Sequence, residues 1–279
     1  MAEHHVLGLS GGKDSAALAI FMRQQFPELD IDYFFTDTGK ELPEVYDFLN
    51  RLEGYLGKPI LQLNPDRDFD FWLREFGHFL PSAQTRWCTR QLKLRPFRSW
   101  VAPWIAAGDT IYSYVAIRAD EESREGYLSN HDRLIVKMPF REFGINKQGV
   151  FDILEASGVG LPRYYEWRSR SGCTFCFFQQ KIEWVRLKAN HPQYFEEAKQ
   201  YEKTALTHGS PFTWTQGEPL SELEKPERIA KIEADFEKRQ KAALAKKRKN
   251  PLRSETEWVD IDDLYLEDEG GGACLVCHK

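Results

Sequence analysis

The 279-residue sequence has no apolar run near the ~20 residues needed to cross a bilayer. Its first residues offer only Val6-Leu7-Gly8-Leu9, too short for the core of a secretion signal. These two absences set the expectation of a cytoplasmic protein without a membrane partner. Cysteine is scarce too, at five residues (Cys88, Cys173, Cys176, Cys274 and Cys277), which excludes a disulfide-stapled scaffold. In a reducing compartment such cysteines read as metal ligands or reactive thiols. No charge sign dominates: 38 Lys and Arg against 43 Asp and Glu leave −5, which argues against wholesale nucleic-acid coating but not against a local basic patch. There are no internal repeats and no legible Ser–His–Asp grouping. His4, His5, His78, His131, His191 and His208 show no ligand spacing beyond the adjacent first pair. The Walker-type P-loop is missing as well, since Gly12-Lys13 is followed by Asp14 and the position five before Gly12 is Leu7.

What is present begins with Ser10-Gly11-Gly12-Lys13-Asp14-Ser15, set between the apolar run 6–9 and the apolar run 16–22. A strand, a small polar turn and a helix start make an anion cradle, because N–H groups at a helix N-terminus are unpaired and partly positive. Glycine allows close backbone approach, and Ser10 and Ser15 add hydroxyls. The alternative is a plain strand-to-helix turn.

Further along, Ile31–Phe35, Pro59–Leu63, Thr110–Ile117 and Leu134–Met138 read as strands by their apolar and β-branched content. Helices are expected over 16–22, 43–56, 70–76 and 149–156, the second with an apolar face through Val45, Phe48, Leu49, Leu52 and Leu56. This alternation predicts an α/β fold with a doubly wound, mostly parallel sheet and ligands beyond the carboxyl ends of its strands. That rule puts residues 10–15 and Asp37 on one rim. From Tyr164 the alternation stops, and 226–249 reads as a separate amphipathic helix ending in Lys246-Lys247-Arg248-Lys249. Those four cations are either a solvated helix end or a phosphate-backbone contact. Residues 254–269 are acidic, and Gly270-Gly271-Gly272 links them to the last cysteines. The expected division is a nucleotide-binding domain at 1–163, a cysteine-containing region at 164–220, and a helical arm with a flexible tail at 221–279.

The hexapeptide at 10–15 resembles the pyrophosphate-holding loop of the N-type ATP pyrophosphatases, the adenine nucleotide alpha hydrolase-like superfamily. Arg86-Trp87-Cys88-Thr89 with Leu92-Lys93 and Pro96, then Arg118 with Glu122-Ser123-Arg124, then Gly172-Cys173-x-x-Cys176, follow in an order similar to proteins of the phosphoadenosine phosphosulfate (PAPS) reductase-like family. The nearest likeness in motif is to the sulfur-inserting enzymes of DNA phosphorothioation, and the resemblance covers about residues 6 to 180. It implies that Ser10, Gly11, Gly12, Lys13, Asp14 and Ser15 hold phosphates of ATP or PAPS, with Lys13 and Asp14 at the chemistry and Lys13 offsetting charge on the departing oxygens. Arg118 either grips a phosphate or sulfonate, or pairs with Asp120, Glu121 or Glu122. Asp37 either binds ribose or metal, or caps its own turn. Cleavage of ATP at the α-phosphate implies Mg²⁺.

Cys173 and Cys176 have ligand spacing for a [4Fe–4S] cluster or zinc, with Cys88 as a third thiolate. Iron–sulfur members of the family carry Cys-Cys where this chain has Trp87-Cys88, so one ligand is missing. The tail Cys274-Leu275-Val276-Cys277-His278 is similar in position to the mobile thiol segment of sulfonucleotide reductases but lacks its Glu-Cys-Gly, and it makes Cys274 and Cys277 the candidate nucleophile and resolving thiol. Three functions stay open. The first is an adenylylating, pyrophosphate-releasing enzyme of sulfur transfer, with a nucleic-acid or small-molecule acceptor and a sulfur-donor protein. The second is a sulfonucleotide reductase served by thioredoxin. The third is a nucleotide-binding subunit of a defence or modification complex with little turnover.

Overall fold

The computed structural model describes residues 1–122, 124, 131–170, 172–210, 212–215, 217–249 and 264, with backbone alone over 246–249. Ser123, the glycine link 270–272, Cys274, Cys277 and His278 lie outside the described residues, as do the 246–249 side chains and the acidic segment apart from Leu264.

Five strands form one sheet: β1 (Glu3–Leu9), β2 (Ile31–Phe35), β3 (Ile60–Gln62), β4 (Thr110–Tyr114) and β5 (Leu134–Lys137). Every pairing is parallel and the order is β3-β2-β1-β4-β5. β1 lies at the centre, with Leu9 opposite Phe35 on one side and Leu7 opposite Tyr114 on the other. Strands covered on both faces have no polar side to show, which is why β1 and β2 are nearly continuous apolar runs.

The two faces are covered by different helices. Leu7, Leu9, Ile31, Tyr33 and Phe35 point into the main core with α1 (Lys13–Gln25) and α2 (Pro43–Leu56). Val6, Phe34, Ile111 and Leu134 point the other way, onto Phe97 and Val101 of α4 (Arg95–Ala106). Ala16, Ala17 and Ala19 keep α1 slim, and α1 also packs on α6 (Lys147–Ala156). Between these elements lie α3 (Phe69–Glu75), a π-helical turn (Thr89–Leu94) and α5 (Pro139–Glu142). The doubly wound parallel α/β sheet is therefore as expected.

Some boundaries differ from the sequence reading. α1 begins at Lys13, three residues earlier than its apolar run, so Lys13, Asp14 and Ser15 are its first turn rather than a loop before it. β4 stops at Tyr114 although Val115, Ala116 and Ile117 stay buried; Val115 still donates to the Lys137 carbonyl at 2.9 Å, and the chain then leaves the ladder. After 164 the alternation stops, as expected, and the described residues add helices alone: α7 (Lys181–Asn190), α8 (Pro192–Thr207), α9 (Leu220–Leu223) and α10 (Pro226–Lys249). Trp184, Phe195, Trp214 and Phe236 from this part join the core that holds α1 and α2. No described helix is long and apolar enough to cross a membrane.

The order β3-β2-β1-β4-β5 reverses direction between β1 and β4. In open α/β sheets the crevice at that switch point, beyond the carboxyl ends, is where ligands sit. The segments leaving β1 and β4 carry Ser10–Ser15 and Arg118.

Candidate active site

The turn after β1 is closed by its own serines. Ser15 Oγ accepts from the Ser10 amide at 3.1 Å, lies 3.2 Å from Ser10 Oγ and donates to the Gly12 carbonyl at 3.3 Å. Gly11 has φ +71°, and a Cβ there would stand 2.5 Å from Val45 Cγ1 of α2. Gly11 thus does two things at once, turning left-handed and letting the turn lie against α2. Gly11→Ala is expected to cost about 1–3 kcal/mol of stability, read as a lower urea midpoint, because both the φ and the clash oppose it. An unchanged midpoint would show that the turn relaxes freely. Gly12 starts α1 in extended conformation with no side-chain cap, which leaves first-turn N–H groups to face an incoming anion.

Charge converges on Asp14. Lys13 Nζ donates to Asp14 Oδ2 at 2.7 Å, and Arg118 donates through Nη1 to Asp14 Oδ1 at 3.0 Å from the segment after β4. Burial pushes the Asp14 carboxyl up, but the Lys13 ammonium and the Arg118 guanidinium outweigh it and hold the group well below the usual carboxylate range. Arg118 also donates to Asp120, through Nε at 3.0 Å and Nη2 at 3.3 Å. Arg118 is therefore ion-paired with Asp120, as one reading expected, and it also reaches the loop through Asp14. Burial works against the guanidinium's charge, yet Asp14 and its other acidic neighbours raise its pKa and keep it charged.

Asp37, at the tip of β2, accepts from the Gly39 amide and from Tyr46 Oη, both through Oδ1 at 2.8 Å. It thus caps its own turn, while Oδ2 receives no hydrogen bond from any described residue. Mg²⁺ asks for one or two carboxylates plus substrate phosphates. Asp14 is occupied by two cations, whereas Asp37 Oδ2 is open to such a contact.

The cysteine motif arrives on the same rim by a route no spacing reveals. Glu41 and Cys173 form an isolated antiparallel bridge, and the Thr174 amide donates to the Lys40 carbonyl at 2.6 Å. The fully buried Arg168 donates through Nη2 to the Cys173 carbonyl at 2.9 Å, fixing the turn that carries it. Cys173 Sγ lies 3.3 Å from Thr38 Oγ1 and 3.9 Å from Glu41 Oε1. Burial, then the Glu41 carboxylate, pushes the Cys173 thiol far up, and burial raises Cys176 and Glu41 too. Cluster and zinc ligands must be thiolates.

Here the expected ligand set of Cys88, Cys173 and Cys176 is not assembled. None of the three is in a disulfide, and among the described residues no group of three His, Cys, Asp or Glu could hold a metal ion. Cys173 is instead turned to Thr38 and Glu41, beside a carboxyl that disfavours its ionisation. As placed, these residues do not fit a three-thiolate cluster or zinc site.

Sequence reasoning missed two tyrosines. Tyr164 Oη donates to the Gly11 carbonyl at 2.7 Å, and Tyr165 Oη accepts from the Lys13 amide at 3.4 Å. Their rings stack at 4.9 Å, and the Lys13 ammonium lies 5.9 Å from the Tyr165 centroid. The adjacent pair just after Pro162 was the one available signal, and it carries no spacing rule. Tyr164→Phe is expected to lose about 1 kcal/mol in a urea titration, the worth of one buried hydrogen bond plus an orphaned carbonyl.

Residues 4–129 match the phosphoadenosine phosphosulfate reductase domain. Two uncharacterized proteins of Methanocaldococcus jannaschii are similar, one 27% identical over 199 residues and the other 23% identical over 194. The matches cover 69% and 67% of this chain but only 40% and 45% of those proteins. An uncharacterized nin region protein of Escherichia phage lambda is 26% identical over 147 residues, 43% of this chain and 50% of that protein. The chain thus spans half or less of the length of these relatives. Among solved structures, the phosphate complex of a PAPS reductase from Candida auris aligns with TM-score 0.47 and 12% identity over 61% of this chain and 81% of that one. An NH3-dependent NAD synthetase from Campylobacter jejuni, in complex with nitrate, aligns with TM-score 0.38 and 14% identity over 74% and 87%. The matched span contains the whole loop at 10–15, Asp37, Cys88 and Arg118, so the similarity to the phosphoadenosine phosphosulfate reductase domain takes in the rim at the switch point.

Proposed function

We propose that the chain binds an adenine nucleotide by its phosphates at Ser10–Ser15 and breaks the bond at the α-phosphate, as the adenylylating step of a sulfur transfer. The observation that carries this reading is the convergence of Lys13 and Arg118, from the two sides of the switch point, on one buried carboxylate. Two desolvated cations aimed at one spot stabilise charge far better than they would in water. An entering phosphate competes with Asp14 for them, and the first-turn N–H groups of α1 complete its shell.

An acceptor oxygen attacks the α-phosphorus, the bond to the bridging oxygen breaks, and pyrophosphate leaves with the electron pair. Lys13 and Arg118 offset charge on the oxygens as it develops. Mg²⁺, where bound, screens the triphosphate, with Asp37 as its protein ligand. A sulfur donor then displaces AMP; the acceptor is a nucleic acid or a small molecule, and Cys274 and Cys277 are the thiols of this chain suited to carry sulfur.

A second reading is favoured by the family description. There the loop holds a sulfonucleotide, a tail thiol attacks the sulfonate sulfur, the nucleotide leaves, and thioredoxin releases sulfite. Incubating anaerobically purified protein with labelled ATP, or with PAPS and thioredoxin, separates the two. AMP and pyrophosphate are the expected products. Sulfite formed without ATP consumption would replace the first reading by the second, and tight nucleotide binding with neither product would leave a binding subunit of a larger complex.

A further inference from the structure

At the free edge of the sheet, the carboxyl end of β3 borders a cavity of about 230 Å³ whose lining includes no residue of the 10–15 turn. Gln62 ends β3, Asn64 and Arg67 come from the segment leaving it, Trp72 from α3, Gln91 from the π-helical turn and Arg95 from the start of α4. The Arg95 guanidinium lies 5.6 Å from the Trp72 ring centroid, and that of Arg67 lies 4.2 Å over Phe71. The side chains of Gln62, Asn64 and Gln91 hydrogen-bond to no other described residue. Arg67 has no ion pair among them, and Arg95 meets only Asp66, at 3.6 Å, in an exposed pair that water screens.

An indole, two guanidinium groups and three amides share this small cavity with one carboxylate, Asp66, whose exposed pair with Arg95 an entering phosphate would displace. The amides offer donors and acceptors in the plane in which a heteroaromatic edge displays its own. An aromatic face accepts any base by stacking, and arginine beside it takes the attached phosphate. The volume is that of about eight waters at ~30 Å³ each, room for a base at its inner end. π-Helical turns such as the one supplying Gln91 recur at functional sites.

We propose that this cavity is a second nucleotide site, holding one nucleotide unit with its base on Trp72, its base edge on Gln62, Asn64 and Gln91, and its phosphate on Arg67 and Arg95. The unit comes either from a free mononucleotide or from a single strand passing over the exposed rim. The proposal does not rest on the reading of Ser10–Ser15. That turn leads into α1 on one face of the sheet, whereas Arg95 opens α4 on the opposite face.

The test uses the full chain with thymidine 5′-monophosphate and a short labelled oligothymidylate, since thymine keeps the probes from reporting an adenine-nucleotide site. Trp72→Ala is expected to weaken the probe that binds about tenfold or more, and Trp72→Phe to restore most of that loss. If the strand is the source, the Arg67→Gln/Arg95→Gln double variant lowers the slope of log K against log salt by about 1.4, two contacts at ~0.7 each. If the mononucleotide is the source, it binds as well as the strand and competes with it. Lys13→Ala leaves both probes unaffected, so failure of the loop reading is separable from failure of this one. The proposal is overturned if neither probe binds, or if Trp72→Ala and the double variant bind as wild type. It is equally overturned if the cavity variants lose a non-hydrolysable ATP analogue by the factor that Lys13→Ala does, which would make the cavity part of the loop site.

Discussion

Lys13→Ala is expected to lower kcat/KM for nucleotide cleavage by about 10²- to 10³-fold, the range seen when one pre-aimed charge-stabilising donor is removed. The loss falls mainly on kcat, because the ammonium matters most as charge builds on the departing oxygens. Lys13→Arg should recover little. The guanidinium is planar and wider, and the buried space between Asp14 and the Tyr165 ring is shaped around a compact ammonium. Arg118→Lys tests the opposite preference: Arg118 takes Asp120 bidentately through Nε and Nη2 while Nη1 holds Asp14, a planar fork that a single ammonium does not reproduce. Steady-state kinetics with each variant, beside near-UV circular dichroism to verify packing, decides the matter. A Lys13→Ala enzyme within a few-fold of wild type would remove Lys13 from the chemistry.

How much of this site was legible beforehand depends on how local each part is. The hexapeptide could be read because a strand, a glycine turn and a helix start are contiguous, and because a turn hugging α2 tolerates no Cβ at Gly11. The rim shared by the loop, Asp37 and Arg118 followed from one topological rule about parallel sheets. What could not be read arrives from far away in the chain. Tyr164 reaches the Gly11 carbonyl across 153 positions, and the Glu41–Cys173 bridge joins two irregular segments with no strand pattern to announce it. The π-helical turn at Thr89–Leu94 was invisible because its hydrogen-bond spacing matches no apolar period. The cysteines show the limit most sharply. C-x-x-C spacing states what two residues could ligate, whereas their partners are set by whatever the fold lays beside them, here Thr38 and Glu41.

Asp14→Asn is the second large effect, and its two readouts should move in opposite directions. The amide keeps the shape of the carboxylate but removes the charge between Lys13 and Arg118, both largely buried. Breaking a buried pair by deleting one partner typically costs ~3–5 kcal/mol. Arg118 retains Asp120, so the lower end, about 3 kcal/mol, is expected in urea titrations at neutral pH. The sign of the pH dependence follows from the lowered pKa. The unfolded carboxyl titrates near 3.8 and the folded one below it, so Asp14 stabilises the fold fully above 3.8 and ever less as pH falls through the folded value. The gap between wild type and Asp14→Asn should therefore be constant through the neutral range and narrow in acid. A gap that does not change with pH would mean that shape, not charge, accounts for the loss. Affinity for inorganic pyrophosphate should rise in the same variant, because the anion no longer competes with a resident carboxylate for Lys13 and Arg118. If Asp14 instead holds a metal that bridges to the phosphates, affinity falls with stability and becomes insensitive to added Mg²⁺. Calorimetric titration of pyrophosphate, with and without the metal, tells these two roles apart.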